Sequence, residues 1–232
     1  MRNKVVLKVK RFYQRDESCG VASCASLANF YDRSLNLRKI RKTPFCLPRD
    51  GMHTSEQGAL LNHLGFTNLF IVTADTSYFD FSWSGHSIKW KLKRIKKFRD
   101  YCKNNNEHSD DDVYVIETYL QFLEAKRNHN DLIIDWDFPK WIRSSIRKGN
   151  PVIASINYTS YYKMPKIRKD MMWDDIKGAA VDHAFVIRGF DKEFIYIVDS
   201  AGKKTEHYNG YYKIRWGDFL INIGKGELLF KD

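Results

Sequence analysis

Residues 182–202 read DHAFVIRGFDKEFIYIVDSAG, and this stretch decides the fold. Two runs rich in β-branched and aromatic residues, 183–189 and 194–199, flank the polar turn Phe190-Asp191-Lys192-Glu193, the pattern of an antiparallel hairpin. In a hairpin the start of the first strand lies beside the end of the second. His183 opens one strand and Asp199 closes the other. The turn alone therefore brings an imidazole and a carboxylate together at one edge of a sheet.

An imidazole oriented by a carboxylate is the equipment that activates a nucleophile. Cys19 supplies one. It lies in QRDESCGVA, residues 14–22, where a helix is expected from Ser18 to Tyr31. Ser18 suits the N-cap, and Val21, Ala22, Ala25, Leu27 and Ala28 give small apolar contacts along the following turns. A helix N-terminus carries about half a positive charge and unpaired amides, which favour thiolate over thiol. Gly20 leaves room for a substrate to approach the backbone. The amide of Cys19 and the side-chain amide of Gln14 can together hold an oxyanion. Each residue alone has an ordinary explanation, since a helical Cys is usually a small buried hydrophobe and an Asp after a strand usually makes a turn. Their combination in this order points to a thiol hydrolase.

Working outward, Pro139–Lys148 reads as a helix stopped by Gly149, and Pro151–Ile156 as a strand. Gly210–Arg215 and Glu227–Phe230 complete an antiparallel sheet. Toward the amino terminus, residues 3–12 alternate weakly and form an entry strand or an extended lead. Leu35–Ile40 starts a short helix. Residues 51–64 form another, capped by Thr54 or Ser55 and ended by Gly65. Phe66–Val72 carries strand composition. Helices first and a β-meander last is α+β organisation in two packed layers. Residues 1–232 are expected to form a single domain with a basic insertion at about 75–135.

Inside that insertion, residues 86–103 read HSIKWKLKRIKKFRDYCK, with eight Lys or Arg and one acid. Ile88, Leu92, Ile95 and Phe98 recur at helical spacing, so the segment 89–103 is expected to be an exposed helix with one apolar face. Net charge is +11, and the positive face of this helix is a docking surface for an acidic partner or simply a solvated ridge. Trp90 among the lysines is compatible with nucleic acid, which is the less favoured partner class, or with a helix packing its Trp. NNNEHSDDD at 104–112 reads as a loop, and Val113–Arg127 as a helix. Asp110-Asp111-Asp112, and Asp174-Asp175 with Asp170, are read as solvated acids rather than cation ligands. His53 and His63 are expected to face solvent.

At 232 residues, 43% hydrophobic and 29% charged, the chain can fill a core and is not a disordered polymer. Lys4, Lys8, Lys10 and Arg11 break any signal-peptide core, and no run approaches the roughly 18 apolar residues of a membrane span. A cytoplasmic protein with reduced thiols is expected. The four cysteines form no zinc-type spacing, so neither metal nor cofactor is expected.

The sequence resembles the bacteriocin-leader-processing cysteine peptidases that clip after double-glycine leaders, and their stand-alone relatives. The resemblance is carried by Gln14 with CGVA at 19–22, GMHTSEQGALLNHLGF at 51–66, KGNPVIASI at 148–156 and DHAFVIRGFDKEFIYIVDSAG at 182–202. It leaves about 75–135 unmatched. It implies a papain-like fold, with an N-terminal helical half carrying the nucleophile and a C-terminal antiparallel sheet carrying His and Asp. It also implies a Cys19–His183–Asp199 triad, Gln14 in the oxyanion hole, and peptide-bond cleavage after small or Gly-Gly residues of a peptide or protein substrate. Gln14 stands five residues before the cysteine where six is commoner, and Ser200 stands where many relatives have proline. No ATP-binding GxxxxGK string is present. Acyl transfer by the same triad, or an inactive papain-like module binding an acidic partner, are the competing readings.

Overall fold

A computed structural model of the chain describes residues 4–14, 19–44, 51–105, 108–125, 129–168, 172–201, 209–223 and 226–232. Helix α1 (Cys19–Tyr31) is buried on nearly every side from Gly20 to Asn29. Its small residues let the neighbouring backbones come close, as a helix apolar all round requires. The expected cap Ser18 lies outside the described residues. Helices α2 (Leu37–Ile40) and α3 (Thr54–His63) follow. At the start of α3 the N-cap is His53, not Thr54 or Ser55. The Glu56 carboxylate accepts from the His53 amide at 2.9 Å and fixes the first turn. His53 and His63 are exposed.

The strands are β1 (Val5–Val6), β2 (Leu69–Thr73), β3 (Asp131–Ile134), β4 (Val152–Asn157), β5 (Asp182–Phe190), β6 (Phe194–Asp199), β7 (Tyr211–Arg215) and β8 (Glu227–Lys231). They form one sheet in the order β3-β2-β8-β4-β5-β6-β7, with β1 paired to the far end of β5. Every pairing is antiparallel except β2 with β3. The expected meander holds through β4, β5, β6 and β7 and then breaks. The last strand crosses back to lie between β2 and β4. Leu228, Leu229 and Phe230 explain this, because a strand apolar on both faces belongs in the middle of a sheet and not at its edge.

Two cores lie on opposite faces of the sheet. Ile71, Ile153, Val186, Val198 and Leu229 join α1 and α3 on one face. Phe185, Ile187, Ile197 and Leu228 join α6 (Phe138–Arg147) and α8 (Trp216–Asn222) on the other. The sheet is thus covered on both faces, a correction to the two-layer expectation. The cause is α6, whose Phe138, Ile142 and Ile146 form an apolar stripe needing a face of its own.

Residues 75–135 supply α4 (Ile88–Asn104), α5 (Asp110–Glu124) and the edge strand β3. Their Ile95, Tyr119 and Phe122 share the core of α1. Where α5 meets α3, a Cβ on Gly58 would lie 2.5 Å from the Phe122 ring, so only glycine permits that approach. The run Asp110–Asp112 is not loop but the first turn of α5. Ser109 and Asp112 cap each other's backbone amides, and three carboxylates suit the positive helix end.

Helix α4 packs Ile88, Leu92, Ile95 and Phe98 inward as expected. Lys91 departs from the expected exposed ridge. It is buried, with its ammonium bonded to the Leu132 carbonyl and 3.5 Å from Asp131, and so ties α4 to β3. Trp90 stacks on His86 at 4.0 Å between ring centroids and lies under Arg94. Asp170 lies outside the described residues, while Asp174 accepts from the Ile176 and Lys177 amides. No described helix is long and apolar enough to cross a membrane.

Candidate active site

The pairing of β5 with β6 sets Asp199 opposite Phe185. Asp199 is therefore the diagonal neighbour of His183 on the same sheet face. Nε2 of His183 and Oδ1 of Asp199 lie 2.6 Å apart, both side chains buried. Cys19, first residue of α1 and half-buried, reaches the pair from the helix end. Its sulfur accepts the Ala184 amide at 3.1 Å and shares a hydrogen bond with the His183 imidazole. Since Nε2 faces Asp199, Nδ1 is the nitrogen left for sulfur. Cys19, from near one end of the chain, and the His183–Asp199 pair, from the other, thus form one file, S to N to O.

The electrostatics follow from that file. Burial alone would push the Cys19 thiol up, but the His183 charge, its hydrogen bond and the Ala184 amide outweigh burial and hold it below its ordinary value. Burial would likewise discharge His183. The Asp199 carboxylate, then Cys19, instead raise it to about 10. Burial disfavours Asp199 as an anion, yet His183, the Ala201 amide and the Tyr212 hydroxyl keep it below the usual carboxylate range. A thiolate–imidazolium pair is the state this arrangement favours near neutrality. Of the other described cysteines, Cys24 is buried against the Gln57 carbonyl and burial raises the Cys102 thiol. Cys46 lies outside the described residues.

Gln14 joins the same corner through a neighbour of the acid. Its Oε1 accepts the Ser200 hydroxyl at 3.0 Å, and its main-chain amide donates to the Ser200 carbonyl at 3.0 Å. The departure from proline at position 200 thus affects more than the turn, because a proline could not hold Gln14 in this way. Arg11 fastens the corner from outside, donating to the carbonyls of Asp199 and Ala201. Gly20 also has a packing reason. A Cβ there would lie 2.9 Å from Nε2 of Gln57 and 3.0 Å from Cβ of Met52, so the missing side chain makes room for these two residues.

Residues 6–220 match the sequence profile described as the Peptidase_C39 like family. The chain belongs to that family. Two solved structures are similar at 14% identity. A protein described as a C39-like peptidase from Bacillus anthracis has a TM-score of 0.47, with 99% of this chain and 98% of that one covered. Xylellain, a cysteine protease from Xylella fastidiosa, has a TM-score of 0.41, with 100% and 86% covered. No curated protein matches the sequence. For a Peptidase_C39 like chain the matched span contains Cys19, His183 and Asp199, and it also runs through 75–135, which the motif reading left unmatched.

Sequence reading passed over Tyr212, Tyr158 and Arg11. Tyr212 donates to Oδ2 of Asp199 at 2.8 Å, and the Tyr158 ring stands edge-on to His183 at 5.4 Å. Strand parity could have found Tyr212 once β7 was registered on β6, since Ile197 faces Tyr212. Nothing in the sequence marks Arg11 or Tyr158.

Proposed function

We propose that this protein is a cysteine peptidase in which Cys19 is the nucleophile, His183 the general acid and base, and Asp199 the group that orients and charges the imidazole. The observation that carries the reading is the buried Cys19–His183–Asp199 file, in which the thiol is held low and the imidazole high. The Cys19 thiolate attacks the scissile carbonyl carbon, and the negative charge passes to the carbonyl oxygen. We assign the oxyanion role to the Cys19 amide and the Gln14 side-chain amide, and Ser200, which holds the oxygen end of Gln14, supports that assignment. Imidazolium gives its proton to the departing amine, leaving a thioester on Cys19. Water, deprotonated by His183, then cleaves the thioester and restores the thiolate–imidazolium pair.

The substrate is a peptide or protein cut after small or Gly-Gly residues. The experiment is incubation with a set of peptides differing only at the two residues before the scissile bond, with product masses read directly. Cleavage after Gly-Gly, absent in Cys19→Ala, is the expected result. Products lengthened by an added amine, with no free acid, would make the protein a transferase instead. No product from any peptide, together with an unreactive Cys19, would remove the peptidase reading.

A further inference from the structure

We infer that Tyr212, with Tyr162 behind it, is a positioning residue for the His183–Asp199 pair, a conclusion that rests on the reading of Cys19, His183 and Asp199 as the reacting set. Oδ1 of Asp199 faces His183 Nε2 at 2.6 Å and accepts the Ala201 amide at 2.7 Å. Oδ2 accepts the Tyr212 hydroxyl at 2.8 Å. An ionised carboxylate can only accept, so the Tyr212 proton is committed to Asp199. The Tyr212 oxygen is 3.0 Å from the Tyr162 hydroxyl and must accept there, which makes Tyr162 the donor. The file is directional: Tyr162 to Tyr212 to Asp199.

The register explains why β7 can do this. Tyr212 faces Ile197 on β6, which puts it on the same face as Asp199 and diagonal to it. The carboxylate thus has His183 of β5 on one side and Tyr212 of β7 on the other. Tyr162 directly follows α7 (Tyr158–Tyr161), whose first residue sets its ring against His183. The Tyr158 and Tyr162 rings are themselves 4.6 Å apart. One short helix thereby touches the imidazole directly and the carboxylate through Tyr212. Among the described residues, the remaining groups facing the pair are Cys19 from α1 and Arg11 from the N-terminal segment, and Arg11 binds the main-chain oxygen of Asp199, not its carboxylate. Asp182, next to His183, is exposed.

A hydroxyl donated to Asp199 fixes the carboxylate's orientation and draws off part of its charge. Without it, Asp199 binds the imidazolium proton more tightly, so His183 gives up that proton at higher pH. A residue serving only to fill space has no such signature.

The test is alkylation of Cys19 by iodoacetate across pH, with the modified site confirmed by peptide mapping. Iodoacetate is an anion, so its attack is helped by the imidazolium and slows when His183 is deprotonated. The rate therefore rises as thiolate forms and falls along a high-pH limb set by His183. Tyr212→Phe is expected to move that falling limb upward by roughly half to one pH unit and to lower the plateau about threefold to tenfold. Tyr162→Phe, which leaves Asp199 fully bonded, should move it the same way by less, and it decides the matter if Tyr212→Phe does not fold. A limb that stays in place or moves down in the folded variants, while His183→Ala abolishes it, overturns the positioning role alone. A wild-type profile with no falling limb and no response to His183→Ala overturns the reacting set itself.

Discussion

Replacing Asp199 by asparagine should remove charge from the site while keeping its geometry. The Ala201 amide and the His183 imidazole both address the Oδ1 position, at 2.7 and 2.6 Å, so the amide oxygen of an Asn must settle there. Its NH2 then faces the Tyr212 oxygen, which can accept, and Tyr212 can turn its own proton toward Tyr162. What is lost is the carboxylate's attraction for the imidazolium. Burial acts against that cation, and Asp199, ahead of Cys19, is what raises it to about 10. An adjacent opposite charge shifts a titration by roughly 1–3 units, so the His183 value should fall to somewhere about 7–9. A two-unit fall is about 2.7 kcal/mol of lost preference for the charged form. The assay is a proton–carbon NMR titration of the histidine rings, with the His183 signal identified by its disappearance in His183→Ala. A titration within about half a unit of wild type would refute the assignment of Asp199 as the main source of the raised value. Asp199→Ala should be worse in a second way, because the Tyr212 hydroxyl and the Ala201 amide lose their buried acceptor. About 2–4 kcal/mol of stability should go with them, as denaturant midpoints can show.

Three further outcomes follow from particular contacts. Gly20→Ala adds about 1 kcal/mol of helix propensity but drives a methyl into Gln57 and Met52, a clash typically costing about 1–3 kcal/mol, so thermal unfolding should show no gain and up to about 2 kcal/mol of loss. Lys91→Ala should cost about 2–4 kcal/mol because the Leu132 carbonyl loses its ammonium partner, and a denaturation curve matching wild type would mean the buried contact contributes nothing. Glu227 is raised from 4.5 to about 7 by burial and by Asp75, against hydrogen bonds from Thr54 and Thr73. Its stabilising contribution is present in full below pH 4.5 and is lost as pH rises through 7, so Glu227→Gln should gain up to about 3 kcal/mol on wild type between pH 5 and 8. An unchanged difference between the two curves at those pH values would contradict this.

The sequence was most legible where local pattern and chemistry coincide. The hairpin turn at 190–193 brings His183 and Asp199 to the same end of two paired strands, and the register shift between Ile187 and Gly189 then sets them on one face. The helix starting at Cys19 follows from its small apolar residues. Long-range placement was less legible. Strand β8 has the composition of any buried strand, and only competition for the sheet centre puts it between β2 and β4. Lys91 reads as one more lysine on a basic ridge, since a ridge pattern does not say which long stem will cross to the Leu132 carbonyl. Asp110–Asp112 has the acidity of a solvated loop, and only the capping box at Ser109 makes it the first turn of a helix. Tyr212 is legible only once β7 is registered on β6, and Arg11 gives no signal because the path of the N-terminal segment alone brings it to Asp199 and Ala201.

The central claim is that Cys19 exists as a thiolate paired with His183. Thiolate absorbs near 240 nm where thiol does not, so the difference between the wild-type spectrum and that of Cys19→Ala, followed from acid to alkaline pH, reads this one group. The absorbance should appear well below the free-thiol value of about 8.5 and return toward that value in His183→Ala. A Cys19 thiolate that forms only at or above about 8.5, with or without His183, would contradict it.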